Sequence, residues 1–262
     1  MPPSRYPNSL LGHPFVGAYN FDADTNYNSA ANRNGQLILT ANSGRSRTAS
    51  VTGGRFGWGA YNKNGVNGAG VAHYSGDLSV VAGDYSLGKT NKTGAAVNIK
   101  FPTNNGRVRL SGVNGVYAEI VTSGSTAFSA NLGTTGLGGG NAAIAKVAPV
   151  DGAWHHYAFD FNGITGVWRI FVDGILTLTN TVAGWSNLPP LSLNAYGSLS
   201  LQTQGTSANY PSVESNCTTV SEFVVSAAPF NAGAIAKLNA GLLPNLQSTR
   251  DLYDAGWFDN PF

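Results

Sequence analysis

Two carboxylates about 5–5.5 Å apart cleave a glycosidic bond with retention, one acting as nucleophile and the other as acid. On one strand that separation needs residues on a shared face, in an E-x-D or D-x-x-x-E type spacing. The chain has three glutamates, Glu119, Glu214 and Glu222, and none has an acidic neighbour at such a spacing. Asp22 and Asp24 share a face by spacing, but they fall where a first strand runs out into a loop. His155-His156 would offer a metal or acid–base pair, yet adjacent strand residues point to opposite faces and cannot converge on one ion. A structural role is expected for the pair, one ring beside Trp154 and the other at the surface. His13 and His73 stand in no motif. The glycine-rich stretch 133–140, GTTGLGGG, lacks the Lys-Ser/Thr and the helix of a phosphate loop, so it reads as a surface loop. The residues point away from an enzyme.

Recognition chemistry is better supplied. A sugar site needs aromatic platforms with amide or carboxylate partners in a loop-built cleft. Trp58, Tyr61, Trp185, Tyr196 and Tyr210 lie in or near loops with Asn neighbours and are the candidate ligand-binding residues. Trp154 and Trp168 fall on strands and are expected in the core. A second aromatic group, Tyr253, Trp257, Phe258 and Phe262, sits in the last residues among Asp251, Asp254 and Asp259. Exposed together, these rings would form a sticky patch, so the tail reads as covered, either as a lid on its own sandwich or, the preferred reading, as a docking segment for another subunit.

The elements that position these residues are mostly strands. Residues 151–179 read DGAWHHYAFDFNGITGVWRIFVDGILTLT. Trp154, His156, Ala158 and Asp160 alternate with His155, Tyr157, Phe159 and Phe161, the period of a half-buried strand. Asn162-Gly163 breaks the run, and Asp173-Gly174 predicts a type I′ hairpin, which needs positive φ at both central residues. Further strands are expected at 15–21, 36–40, 78–82, 95–101, 107–111, 116–122, near 198–202 and at 218–226, with 41–54 as a loop. Asn231 is placed to cap a short helix that carries Ile235, Leu238 and Leu242 at helical spacing and ends at Gly241.

Residues 151–179 have the order "W-H-H-x-A-F-x-F-[DN]-G, W-R-[IL]-[FY]-V-D-G", which resembles the concanavalin A-like lectin/glucanase superfamily and, within it, the laminin-G-like domains. GGRFGWGAY at 53–61 and VSEFVVSAAPFNAGAIAKLNAG at 220–241 are similar to the opening and closing phrases of such domains, with Ala234 where the family commonly has an acidic residue. The resemblance implies an all-β, concanavalin A-like jelly-roll β-sandwich of two antiparallel sheets with one short C-terminal helix. It spans 15–242, between a proline-rich arm at 1–14 and the aromatic tail at 243–262. The glucanase branch's E-x-D-x-x-E phrase is missing. Relatives of this kind often bind Ca²⁺ through Asp, Asn and backbone carbonyls, which makes Asp77 and Asp84 candidate metal ligands and Ca²⁺ the candidate cofactor.

Composition narrows the partners. Only 11% of the 262 residues are charged, the net charge is +2 and Gly numbers 34, so the surface is polar rather than ionic and nucleic-acid binding is disfavoured. Cys217 is the single cysteine, which rules out an intrachain disulfide. No basic n-region followed by an apolar run opens the chain, and no stretch approaches the ~20 apolar residues of a membrane span. These features lead to a first reading as a non-enzymatic structural or decoration protein on the surface of a virus particle, a bacteriophage. Its partners would be other virion subunits, or itself in a homo-oligomer, together with host glycans. The alternative is a lectin-like carbohydrate-binding or adhesion module at an extracellular or cell-surface location, with or without Ca²⁺. A glycan-active hydrolase is the third reading, and the missing carboxylate pair counts against it.

Overall fold

The computed structural model describes residues 15–19, 38–41, 45–47, 52–57, 59–62, 72–77, 89–90, 92–101, 105–111, 117–123, 125–131, 143–146, 151–182, 184–187, 191–192, 198–205, 219–226 and 228–243. Over these residues the chain is mostly β with one short helix. The strands are β1 (Phe15–Tyr19), β2 (Ile38–Ala41), β3 (Arg45–Arg47), β4 (Ala60–Asn62), β5 (Ala72–Asp77), β6 (Lys89–Thr90), β7 (Lys92–Lys100), β8 (Asn105–Ser111) and β9 (Tyr117–Ser123). They continue as β10 (Ser125–Asn131), β11 (Ala143–Lys146), β12 (Trp154–Asn162), β13 (Val167–Val172), β14 (Ile175–Thr181), β15 (Leu191–Ser192), β16 (Ser198–Gly205) and β17 (Thr219–Ser226), before α1 (Ala232–Asn239).

The strands form two large antiparallel sheets and a small ribbon. One sheet runs β14-β13-β12-β7-β17-β4-β3, with β1 also on β17, and the second runs β11-β10-β9-β8-β16-β5-β2. The ribbon pairs β15 with β6. The first sheet contains the meander read from residues 151–179. Its hairpin turn has Asp173 at φ 51 and Gly174 at φ 80, the two left-handed residues that a type I′ turn requires. At the preceding turn Asn162 accepts from the Ile164 amide, and the Gly166 amide returns to the Asn162 carbonyl.

Alternation along β12 sends its side chains to two different environments. Tyr157, Phe159 and Phe161 are buried on one face, where Phe159 stacks on Trp168 with ring centroids 5.5 Å apart. Ala158 lies on the other face in register with Ala96 of β7, against Phe230, Ala234, Ile235 and Leu238 of the α1 region. β7 and β17 are therefore buried on both faces, polar residues included.

Asp160 ties the helix entry to this sheet. Arg169 grips its carboxylate with Nε at 2.9 Å and Nη2 at 2.6 Å, and the Phe230 amide donates to the same group at 3.0 Å. Gly94 leaves room for this approach, since a Cβ there would come within 2.7 Å of the Phe230 ring. Asn231 caps the helix by accepting from the Ala234 amide at 2.7 Å. At the far end the Gly241 amide reaches the Leu238 carbonyl and the Leu242 amide reaches Lys237, a Schellman closure with Gly241 at φ 80.

Several expectations change. Residues 45–47 form a strand within the stretch read as a loop, because they pair with β4. Leu242 follows the helix and stays exposed instead of continuing its buried stripe. Trp154 is half-buried rather than core, whereas Trp168 is fully buried. β10 and β11 have no counterpart among the expected strands. The 78–82 strand, the 1–14 arm and the tail beyond residue 243 lie outside the described residues.

Candidate functional site

A β-bulge builds the site. Ser221 pairs with Asn98 and Val224 with Ala96, so Glu222 and Phe223 together oppose the single residue between them on β7. Glu222 takes up the extra residue at φ 47, a left-handed conformation uncommon for a side chain of this kind. The bulge directs Ser221 and Glu222 toward the helix-bearing face. There Glu222 is buried and accepts from Asn98 Nδ2 at 2.8 Å and from the Ser221 hydroxyl.

Residues 52–57, between β3 and β4, lay Arg55 across this bulge. Its backbone amide donates to Ser221 Oγ at 3.1 Å, and its Nη1 donates to Asn98 Oδ1 at 2.7 Å and to Asn239 Oδ1 at 3.2 Å. Asn239, in the last turn of α1, passes a hydrogen bond to the Asp173 carbonyl at 3.2 Å. The Asp173 carboxylate then receives the His156 amide at 2.9 Å and meets His155 Nδ1 at 2.7 Å. His155 Nε2 lies 3.1 Å from Asp151. One polar network thus joins a loop, the bulge, β7, the helix terminus and the hairpin turn.

Electrostatics separates its members. Burial pushes the Glu222 carboxyl above its ordinary range, against the bonds from Ser221 and Asn98, the Phe56 amide and the Arg55 charge. His156 is 1% exposed, and neither ring nitrogen has a partner among the described residues. Burial first, and then the Arg55 charge, push its pKa down to about 3. Burial also pulls on His155, but hydrogen bonds and charge from Asp173 and Asp151 outweigh it and the net shift is upward. The expectation for the histidine pair is corrected accordingly. Neither ring is a surface group: His156 is enclosed, and His155, with 16% of its side chain exposed, is clamped between carboxylates.

The outer wall is apolar. Phe56 is 51% exposed, with the Arg55 guanidinium 4.9 Å from its ring centroid. The ring rests on Gly241, where a Cβ would come within 2.3 Å of it. Leu242 is exposed alongside this helix end.

Sequence reasoning did not find this site. Its residues come from separate elements, Arg55 and Asn239 standing 184 positions apart. The one legible signal was a polar Asn98 within β7 and a charged Glu222 within β17. Of the five loop aromatics proposed earlier, Trp185 is 8% exposed and meets Phe161 edge-on at 5.8 Å, so its ring serves the core. Tyr61 lies on β4 and Asp77 on β5, where the backbone alone is described. Trp58, Tyr196, Tyr210, Tyr253, Trp257, Phe258, Phe262 and Asp84 lie outside the described residues, as do Asp22, Asp24 and stretch 133–140. Among the described residues no group of three His, Cys, Asp or Glu side chains is arranged to hold a metal ion. No described helix is long and apolar enough to cross a membrane.

No protein-family model and no curated protein matches the chain. Solved structures do. The botulinum neurotoxin serotype G binding domain aligns with a TM-score of 0.55 at 10% identity, covering 89% of this chain and 51% of that one. The fold resembles half of a toxin's binding domain. The binding domain of Paraclostridial Mosquitocidal Protein 1 gives 0.55 at 10% identity over 88% and 53% of the two chains. The binding domain of botulinum neurotoxin DC, solved in complex with rat synaptotagmin II, gives 0.50 at 10% identity over 89% and 52%. This chain therefore spans about half the length of each, and at such identity the likeness carries the fold and no residue's role.

Proposed function

We propose that the chain is a non-enzymatic binding module that recognises glycans on a cell surface, built as a concanavalin A-like jelly-roll sandwich over residues 15–242. The observation that carries this reading is the fold likeness to toxin binding domains across 89% of the chain. Two large antiparallel sheets, the first with a buried apolar face turned away from the helix, support the sandwich. The buried carboxylates support a non-enzymatic role. Asp160 is engaged by Arg169 and Glu222 by Asn98 and Ser221, so neither is left for acid–base work on a substrate. Fold alone does not dictate function, and the ligand class here rests on the aromatic and amide groups of the loops.

The reading as a phage decoration protein at a virion surface draws on composition and on the two terminal segments. The toxin-domain likeness favours its adhesive half. Trp58, Tyr61, Tyr196 and Tyr210 are the proposed aromatic platforms, and Ca²⁺, with Asp77 and Asp84 as ligands, is the proposed cofactor.

A glycan array probed with the full-length chain, once with Ca²⁺ and once with EDTA, tests the proposal. Selective retention on a subset of glycans is expected, and sensitivity to EDTA would assign the metal a part in it. A blank array under both conditions overturns the glycan-binding reading.

A further inference from the structure

We infer that the Arg55–Phe56 corner is a subsite for the carboxylate-bearing sugar of an acidic glycan. The guanidinium grips the carboxylate, and the Phe56 ring stacks on the sugar's C–H face. This inference rests on the glycan-binding reading and names the chemistry that reading would select.

Arginine carries five N–H donors in a planar fork. Nη1 serves Asn98 and Asn239, while among the described residues Nε and Nη2 have no hydrogen-bond partner. Neither atom is among the enclosed, unpartnered ones, so this edge of the guanidinium is not sealed off. Its two parallel N–H groups have the spacing that a carboxylate accepts bidentately. Arg55 also belongs to none of the ion pairs among the described residues. Glu222 acts on it only through space, with its own oxygen taken by Asn98 and Ser221. The cation is held from one side and unneutralised on the other. Such fixed geometry removes much of the ordering cost of binding an anion.

Two neighbours define the ligand. The Phe56 ring, seated on the bare Gly241 backbone with the guanidinium centre over it at 4.9 Å from its centroid, stays 51% exposed, and that exposed part is the platform next to the cation. Asn239 Nδ2 donates one hydrogen to the Asp173 carbonyl and keeps its second, a donor for a hydroxyl. An aromatic face, a carboxylate fork and an amide donor together suit an acidic pyranose. An acidic peptide fits less well, because extended peptides bind by pairing with a strand edge. The outer edge of β17 is already filled by β4 along its first half and β1 along its second.

The test uses the full-length chain against immobilised hexagalacturonate, a hyaluronan hexasaccharide and an alginate hexamer, each beside its carboxyl-reduced form, with hexaglutamate as a peptide arm. At least one acidic glycan is expected to bind at least about tenfold more tightly than its reduced form, the scale of losing a charged bidentate contact. Phe56→Ala is expected to weaken that binding about tenfold or more with the melting temperature held, since the ring is half exposed. Arg55→Lys keeps the charge but removes the fork, and is expected to weaken it as well. Equal binding to acidic and reduced forms, or full binding by Phe56→Ala, overturns the subsite while leaving the glycan module standing. Equal or tighter binding of hexaglutamate overturns the sugar assignment. No binding to any of these glycans overturns the subsite, and the array then decides the wider reading separately.

Discussion

His156 illustrates how far a single residue's environment departs from its type. The ring sits between the Arg55 charge and the packed sheet with both nitrogens unmet, an arrangement that costs about 1–3 kcal/mol for each unmade hydrogen bond. With its pKa pushed down to about 3, the folded chain refuses a proton that the unfolded chain accepts near 6.5. This contribution to stability is complete above the unfolded value and is lost as pH falls toward about 3, at up to about 1.4 kcal/mol per pH unit. His155 acts in the opposite sense. Its raised pKa contributes at acid pH and fades as pH rises through the folded value. His156→Leu is therefore expected to flatten the fall of the urea midpoint between about pH 6 and pH 4. An unchanged slope would assign the acid limb to the carboxylates instead. The sequence placed the two histidines on opposite faces, because strand geometry alone decides that. It could not show which ring is enclosed, since that depends on Arg55 arriving from more than a hundred residues earlier.

At the scale of elements, α1 was readable at both ends because caps are local chemistry. Asn231 and Gly241 each do what their backbone geometry requires. Asn231→Ala is expected to cost about 1 kcal/mol in urea unfolding, the usual value of an N-cap. Gly241→Ala is expected to cost more, because the new Cβ meets left-handed strain and the Phe56 ring together. Equal losses would mean that Phe56 shifts without resistance. The Asp173-Gly174 hairpin was legible for the same local reason. β3, β5, β10 and β11 were not. Read as AHYSGD or STAFSAN, strands of small and polar residues lack the alternation that marks a half-buried strand, and their pairing partners decide the outcome. The bulge at Glu222 was equally silent, since one extra residue leaves no trace in composition.

Across the whole molecule, stability is expected to concentrate at the centre of the first sheet. β7 lies between β12 and β17 with both faces covered, whereas β14 ends the sheet and exposes Ile175 and Leu176. Hydrogen exchange should find the β7 and β12 amides opening only with global unfolding and those of β14 opening earlier. Exchange of β14 as slow as β7 would show that its edge is covered.

β17 has a consequence for how the chain is made. Among the described residues it is the last strand, yet it is the one on which β1, β4 and β7 converge. On the ribosome those early strands emerge long before their shared partner. At typical synthesis rates of about 5–20 residues per second, the wait from β4 to β17 is on the order of 10 s. Through that interval β4 has β3 and β7 gains β12, but the edges that will meet β17 stay unpaired. A chaperone that shields the nascent first half, or slow translation near residues 219–226, would then govern yield more than the stability of the finished fold.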